Sequence, residues 1–193
     1  WKFADTPVDV AIVEVGMGGL WDATNVLNAD AAIIGPVDMD HMQWLGDTVE
    51  QIATEKAGII KKSIPVLIGE ADPRYNGVIE QAAAANKSKV LYAEQIFRCE
   101  KQAASGDRQL FTLRRMRDDR PFDVELDLEG NYQCHNIITA SAAVDFLHEE
   151  TPLTISRRAF IEGLRCTAAN TALRGRWQKL GEAPLTVCDT GHN

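Results

Sequence analysis

Glu14, His41 and Lys56 have the side-chain types from which a divalent metal centre is built: a carboxylate, an imidazole and an amine on an apolar stripe. Lys56 falls in a run where Val49, Ile52, Ala53, Lys56 and Ile60 recur at helical spacing. A lysine facing a core must lose its charge or gain a partner, because desolvation disfavours the ammonium form. Spacing leaves two readings open. Lys56 either extends its ammonium to solvent along an apolar stem, or stays masked beside a carboxylate and a histidine. His41 follows Asp40, a carboxylate able to orient the imidazole or to serve the site directly. Glu14 precedes Gly16-Met-Gly-Gly19, where glycines permit positive φ and close backbone approach to a ligand. The spacing is not GxGxxG, so the residues lend little support to a dinucleotide turn, and an ordinary glycine turn stays open.

These residues need elements to hold them. Residues 8–15 are a nearly continuous β-branched run and predict a strand buried on both faces. Glu14 then lies near its carboxyl end, the edge where ligands bind in open parallel sheets. Residues 31–35, 65–69 and 89–93 read as three further strands, and helices are predicted at about 47–61 and 73–87. Thr48 and Gln51 form a capping-box pattern that opens the first helix. Strands alternating with helices imply a parallel sheet. The pattern then changes, because residues 109–114 and 122–128 alternate apolar and polar side chains as antiparallel strands with one wet face do. Helices are expected near 136–148 and 156–165, and residues 185–189 read as a strand returning to the sheet. The fold class is α/β: a mostly parallel sheet flanked by helices, with a small antiparallel β appendage.

Composition narrows the partners. A hydrophobic content of 45% over 193 residues supports an ordinary core for one α/β domain with a small appendage. The net charge of -8 and the lack of a basic stripe argue against a nucleic-acid surface. No apolar run approaches the roughly 20 residues that span a bilayer, so no membrane role is expected. Cys99, Cys134, Cys166 and Cys188 form neither a CxxC pair nor a zinc spacing, which suits reduced thiols in a cytoplasmic protein. The chain opens at Trp1 shortly before an apolar run and stops at Asn193 just after another, so we read it as a piece of a longer protein.

The motifs taken together resemble those of the folylpolyglutamate synthase and dihydrofolate synthase family, a branch of the Mur-ligase-like enzymes. Glu14-Val-Gly-Met-Gly-Gly-Leu-Trp-Asp22-Ala-Thr-Asn25 is similar to its EVGxGGRxDATN motif. Asp40-His41 through Leu45-Gly46-Asp-Thr48 and Ile52-Ala-Thr-Glu-Lys56-Ala-Gly-Ile-Ile-Lys61 resembles DHxxxLGxTxxxIAxEKAGIIK. Gly130-Asn-Tyr-Gln133-Cys-His-Asn136 is similar to GxHQxxN, Arg174-Gly-Arg176 to PGR, and Asp189-Thr-Gly-His192-Asn193 to DGAHN. These matches run in order across nearly the whole chain.

The resemblance implies an ATP-dependent ligase that joins L-glutamate to dihydropteroate or folate through an acyl phosphate. It implies Mg²⁺ ligands at Glu14 and His41, and at Lys56 carried as a carbamate. Lys56 and His41 are then the catalytic candidates. It implies a pteroate-pocket contact at Asp22 and ATP contacts at Asn136, Arg176 and Asp189, with Arg176 nearest the phosphates. Read without the resemblance, Asn136 suits a helix N-cap, Arg176 a solvated charge, Asp189 a strand-end turn and Asp22 a local Asx-turn. The implied organisation is a central ATPase domain over 1–187, with its antiparallel appendage at about 97–130, and a connection toward a C-terminal domain at 188–193. The parent enzyme is expected to be a monomer. Leu20 stands where the family usually has Arg, and the sequence contains no GxxxxGK[ST] phosphate loop. The chain alone is therefore expected to lack ligase activity; a phosphate loop upstream of Trp1 in the parent reading frame would discriminate the enzyme from the alternatives. Two alternatives remain: a non-catalytic binding or scaffold remnant, and a cell-wall UDP-muramyl amino-acid ligase.

Overall fold

The computed structural model describes residues 5, 8–105 and 108–190. It divides into two compact units: Trp1–Ala32, Val37–Pro65 and Pro73–Lys89 form one, and Ile33–Pro36, Val66–Asp72 and Val90–Asn193 the other.

The first unit is built on helices α1 (Met42–Leu45), α2 (Val49–Ala57) and α3 (Asn76–Ala85). Thr48 caps α2, its hydroxyl accepting from the Gln51 amide at 3.2 Å. Gln51 reaches back to the Asp47 amide at 2.7 Å, one residue before the position that a capping box would use. Glu50 in the first turn and Lys56 in the last both suit the helix dipole. Helix α3 is alanine-rich and needs little side-chain entropy to form. The two helices pack together, and Ile52 and Ala53 of α2 and Ile79 and Ala83 of α3 are buried. Each buried isoleucine contributes roughly 1.5–3 kcal/mol.

Among the described residues the second unit holds three sheets. Strands β1 (Ala32–Ile34), β2 (Val66–Ile68) and β3 (Val90–Tyr92) lie in the order β1-β2-β3, with β1 beginning at the last residue of the first unit. Strands β2 and β3 are parallel, in the register Val66–Val90 to Ile68–Tyr92. The central strand β2 is buried along its whole length, as its apolar sequence requires. After the short helix α4 (Ala93–Ile96) come the antiparallel strands β4 (Phe97–Ser105), β5 (Arg108–Arg115) and β6 (Arg120–Leu126). In β5 the even-odd alternation holds: Gln109, Phe111 and Leu113 are buried between less buried neighbours. Helices α5 (Gln133–Glu150), α6 (Arg157–Arg165) and α7 (Thr167–Thr171) follow, then the hairpin β7 (Gln178–Glu182) and β8 (Leu185–Cys188). Phe111, Leu113, Val124, Leu126, Ile137 and Leu164 form the core between the β4–β6 sheet and the helices.

Parallel sheet, flanking helices and antiparallel appendage stand as the sequence predicted, with four differences. Residues 8–15 are not a strand: among the described residues no strand pairs with them, and Ile12 is 92% exposed. β-branching sets an extended preference, but ladder hydrogen bonds need a neighbour. Residues 185–188 do not return to the parallel sheet. They pair with β7, because the connection through Ala183-Pro184 is too short for anything but a hairpin. Strand β4 was not foreseen, since its residues lack clean alternation. It takes its conformation from its pairing with β5, with a register shift between Lys101 and Ala103. Finally, α5 starts at Gln133 rather than near Asn136.

Candidate functional site

In the first unit the glycine segment is a closed loop organised by its own aspartate. Asp22 Oδ2 accepts from the amides of Gly16 at 3.0 Å and Met17 at 3.2 Å. Its Oδ1 accepts from the Thr24 amide at 2.8 Å and the Thr24 hydroxyl at 2.5 Å. The Thr24 hydroxyl, then the three amides, hold the Asp22 carboxyl below the usual carboxylate range. Asp22 also caps a 3-10 helix, Ala23–Val26. Its local Asx-type role is thus present in full, and both carboxylate oxygens are engaged within the loop.

This loop sits on the end of α2. The Leu20 amide donates to the Glu55 carbonyl at 2.9 Å. Asn25 Nδ2 donates to the carbonyls of Leu20 at 2.9 Å and Gly58 at 3.1 Å. The approach is close enough to require glycine on both sides. A Cβ on Gly19 would lie 2.7 Å from the Glu55 carbonyl oxygen, and one on Gly58 would lie 2.5 Å from Leu20 Cα. A Cβ on Gly18 would meet Leu45 Cδ2 at 2.7 Å. Three sequence motifs separated along the chain therefore meet in one place: residues 16–25, Leu45 and residues 55–58. Asn25 is a positioning residue that sequence reasoning missed. Its signal was available, since it ends the quoted motif and has two amide protons to place.

Lys56 belongs to that last turn of α2. It is half-buried, not part of the core stripe expected of it, which consists of Val49, Ile52, Ala53, Ala57 and Ile60. The smaller Ala57 takes the inward place instead. His41 caps α1 in the left-handed region at φ 52° and is exposed. Its Nε2 lies 3.6 Å from Asp40 Oδ2, and its amide donates to Asp40 Oδ1 at 2.7 Å, so the expected Asp–His partnership is formed. Glu14 is exposed in the extended segment two residues before Gly16. Among the described residues no group of three or more His, Cys, Asp and Glu side chains is arranged to hold a metal ion. A single carboxylate of the Glu14 type suits magnesium bound with a nucleotide, because that ion keeps several waters and takes phosphate oxygens.

In the second unit Asn136 is the fourth residue of α5, exposed, and its Nδ2 donates to Gln133 Oε1 at 3.0 Å. It is not the N-cap; Tyr132 holds that position. Gln133 is buried and braces the turn. Next to it His135 Nδ1 lies 3.5 Å from Glu70 Oε2. Glu70 follows the carboxyl end of β2, the position that the parallel-sheet rule marks, and the sequence reading passed over both residues. Arg176 is exposed in the connection before β7. Asp189 Oδ2 accepts from the Trp177 amide at 2.9 Å, and Gly175 O accepts from the Thr190 amide at 2.7 Å and the Thr190 hydroxyl at 3.0 Å. Those bonds grip the chain on either side of Arg176, so Arg176 and Asp189 are brought together across the hairpin. His192 and Asn193 lie outside the described residues.

Known proteins resemble the chain over its whole length. Over 193 residues the chain is 34% identical to a folylpolyglutamate synthase of Lacticaseibacillus casei, covering all of this chain and 44% of that protein. A Mycobacterium tuberculosis folylpolyglutamate synthase complexed with ADP and AMPPCP superposes with a TM-score of 0.84 at 34% identity, covering 100% of this chain and 42% of that one. An FPGS–AMPPCP–folate complex superposes with a TM-score of 0.85 at 34% identity, covering 100% and 46%. The chain thus spans less than half the length of these relatives. The Mur ligase middle domain matches residues 2–144, which include the glycine loop, the Asp40–His41 pair, Lys56 and the first turns of α5, and to that family the chain belongs.

Proposed function

We propose that this chain is the central, nucleotide-handling part of an ADP-forming ligase that joins L-glutamate to dihydropteroate, folate or both. The observation that carries this reading is the docking of residues 16–25 onto residues 55–58. It places Lys56 beside the glycine loop on a backbone contact that tolerates no side chain. The likeness to folylpolyglutamate synthases over the whole chain supports the substrate class.

In this reading the substrate carboxylate attacks the γ-phosphorus of ATP and ADP leaves. The glutamate amine then attacks the acyl phosphate, forming the amide and expelling phosphate. Catalysis of this kind is mostly positioning and electrostatics. Glu14 and His41 would hold Mg²⁺, together with Lys56 as a carbamate. When bound, the metal supplies charge neutralisation on the transferring phosphoryl group. Asp40 orients the His41 ring. Asp22 shapes the pteroate side of the site by fixing the loop. Arg176 pairs with phosphate oxygens through its planar fork, and Asp189 keeps its segment in place. Asn136 contacts the nucleotide from the first turn of α5. We assign residues 1–187 to the ATPase domain and 188–193 to the connection that follows. We further propose a monomeric enzyme of the cytoplasm, with no nucleic-acid or membrane partner.

The test is phosphate release by the complete protein. It should require ATP, a pteroate or folate, and glutamate together. Release that ignores the pteroate and persists with a UDP-muramyl peptide would overturn the folate assignment in favour of a cell-wall ligase.

A further inference from the structure

Two of the four cysteines face each other on elements that do not otherwise explain them. Cys99 lies on β4, opposite Leu113 of β5. Cys134 lies in the first turn of α5. Their sulfurs are 3.1 Å apart, and the Cys134 thiol also points toward the Cys99 carbonyl at 3.7 Å. Both side chains are half-buried against the cluster of Phe111, Leu113 and Ile137. Strand and helix are each anchored in that cluster, so the approach is imposed by packing. A disulfide bond is about 2.05 Å long, and the remaining gap is about 1 Å. That is within the reach of two χ1 adjustments.

We propose that Cys99 and Cys134 form a dithiol modification site that takes small-molecule disulfides of the glutathione type and closes to an intramolecular disulfide. The order of events follows from the environments of the two thiols. Burial, then the neighbouring Cys134, push the Cys99 thiol well above its usual range, so it is the poorer initial nucleophile. Cys134 attacks first: its thiolate displaces one thiolate from the oxidant and leaves a mixed disulfide at Cys134. That step removes the Cys134 thiolate and with it the second cause of the Cys99 shift. Cys99 then passes its proton to the thiolate expelled in the first step and attacks the Cys134 sulfur, and the second oxidant thiolate leaves and takes up the proton that Cys134 had released. One disulfide is reduced to two thiols while two protein thiols become one disulfide, and no other reductant or oxidant is needed. The new bond ties β4 to the turn that carries Asn136.

The test uses the folded, fully reduced chain, freed of reductant and incubated with excess oxidised glutathione. The expected product has lost two hydrogens, yields a Cys99–Cys134 linked peptide on non-reducing digestion, and reverts with dithiothreitol. With Cys166 and Cys188 replaced by Ser, Cys99→Ser should stop at a stable single-glutathione adduct on Cys134. Replacing Cys166 and Cys188 by Ser should leave the linkage unchanged. Circular dichroism confirms that each variant is folded. Stable adducts without linkage in the unsubstituted chain, linkage only after urea is added, scrambling to Cys166 or Cys188, or no reaction under conditions that modify the denatured chain would each overturn the proposal.

Discussion

The Asn25 side-chain amide donates to the Gly58 carbonyl oxygen at 3.1 Å, joining residues 33 positions apart. Its other amide contact, to Leu20 O at 2.9 Å, closes the glycine loop on itself. One side chain therefore closes the loop and fastens it to the end of the helix that carries Lys56. Asn25→Ala leaves two carbonyls without this donor and should cost about 1–3 kcal/mol. Asn25→Asp should cost more, because a carboxylate in that place faces two carbonyl oxygens. Urea denaturation measures both, and equal midpoints for all three proteins would show that the contact carries no stability.

The same interface makes a prediction about glycine. At Gly58 an added Cβ would sit 2.4 Å from Leu20 Cβ, and at Gly19 it would sit 2.7 Å from the Glu55 carbonyl. Neither neighbour is the far end of a flexible side chain. Gly58→Ala and Gly19→Ala should each destabilise by about 1–3 kcal/mol through forced separation of loop and helix. Gly77 is the control: it lies in α3 with nothing within 4 Å of the added carbon. Gly77→Ala should stabilise by about 0.5–1 kcal/mol, the helix propensity difference. The signs of the three changes, read from thermal melts, separate close approach from simple backbone entropy.

Much of this was visible in the residues, and the failures share a cause. Short-range signals held: the Thr48 cap, the helical stripe of α2, the period-two alternation of β5 and the apolar run of β2 are each fixed by neighbours a few positions away. What failed depended on a partner elsewhere. Residues 8–15 have strand composition and no described strand beside them. Strand β4 has poor strand composition and is made by β5. Lys56 fits the stripe by spacing, yet Ala57 takes the core position, because a single residue of helix rotation decides which side is buried. The motif contains both Asp22 and Asn25, but a role was given to Asp22 alone. A type-by-type reading favours charged groups as actors, whereas this loop is fastened by a neutral amide.

Asp22 gives the loop a pH dependence with a definite sign. The folded carboxyl is held below its ordinary value of 3.8, first by the Thr24 hydroxyl. A depressed carboxylate stabilises the folded state fully above the unfolded value, and that contribution is lost as pH falls through the lower, folded value. The amide resonances of Gly16, Met17 and Thr24 should therefore hold constant down to pH values near 4 and then shift together on further acidification. Asp22→Asn should abolish that shared transition. If the three amides titrate at different pH values, or titrate in the Asn variant, one carboxylate does not organise the loop.

Arg176 and Asp189 are predicted to separate in their effects, although they are neighbours across one hairpin. Asp189 accepts from the Trp177 amide at 2.9 Å, so its contribution is first of all to the backbone that presents Arg176. Removing it by Asp189→Ala should speed hydrogen exchange at the Trp177 amide about 2- to 10-fold, the effect of losing about 0.5–1.5 kcal/mol of local protection. Arg176 is exposed, and truncating it changes nothing in that bond. Arg176→Ala should leave Trp177 exchange unchanged and still weaken nucleotide binding by the complete protein, since a charge-assisted phosphate contact is worth about 1.5–3 kcal/mol. Arg176→Lys should restore charge but not the bidentate geometry, and so recover part of the affinity. Asp189→Ala should lower affinity and speed exchange together. Nucleotide affinity that falls with Asp189 but not with Arg176 would place the phosphates elsewhere and reduce this hairpin to a structural turn.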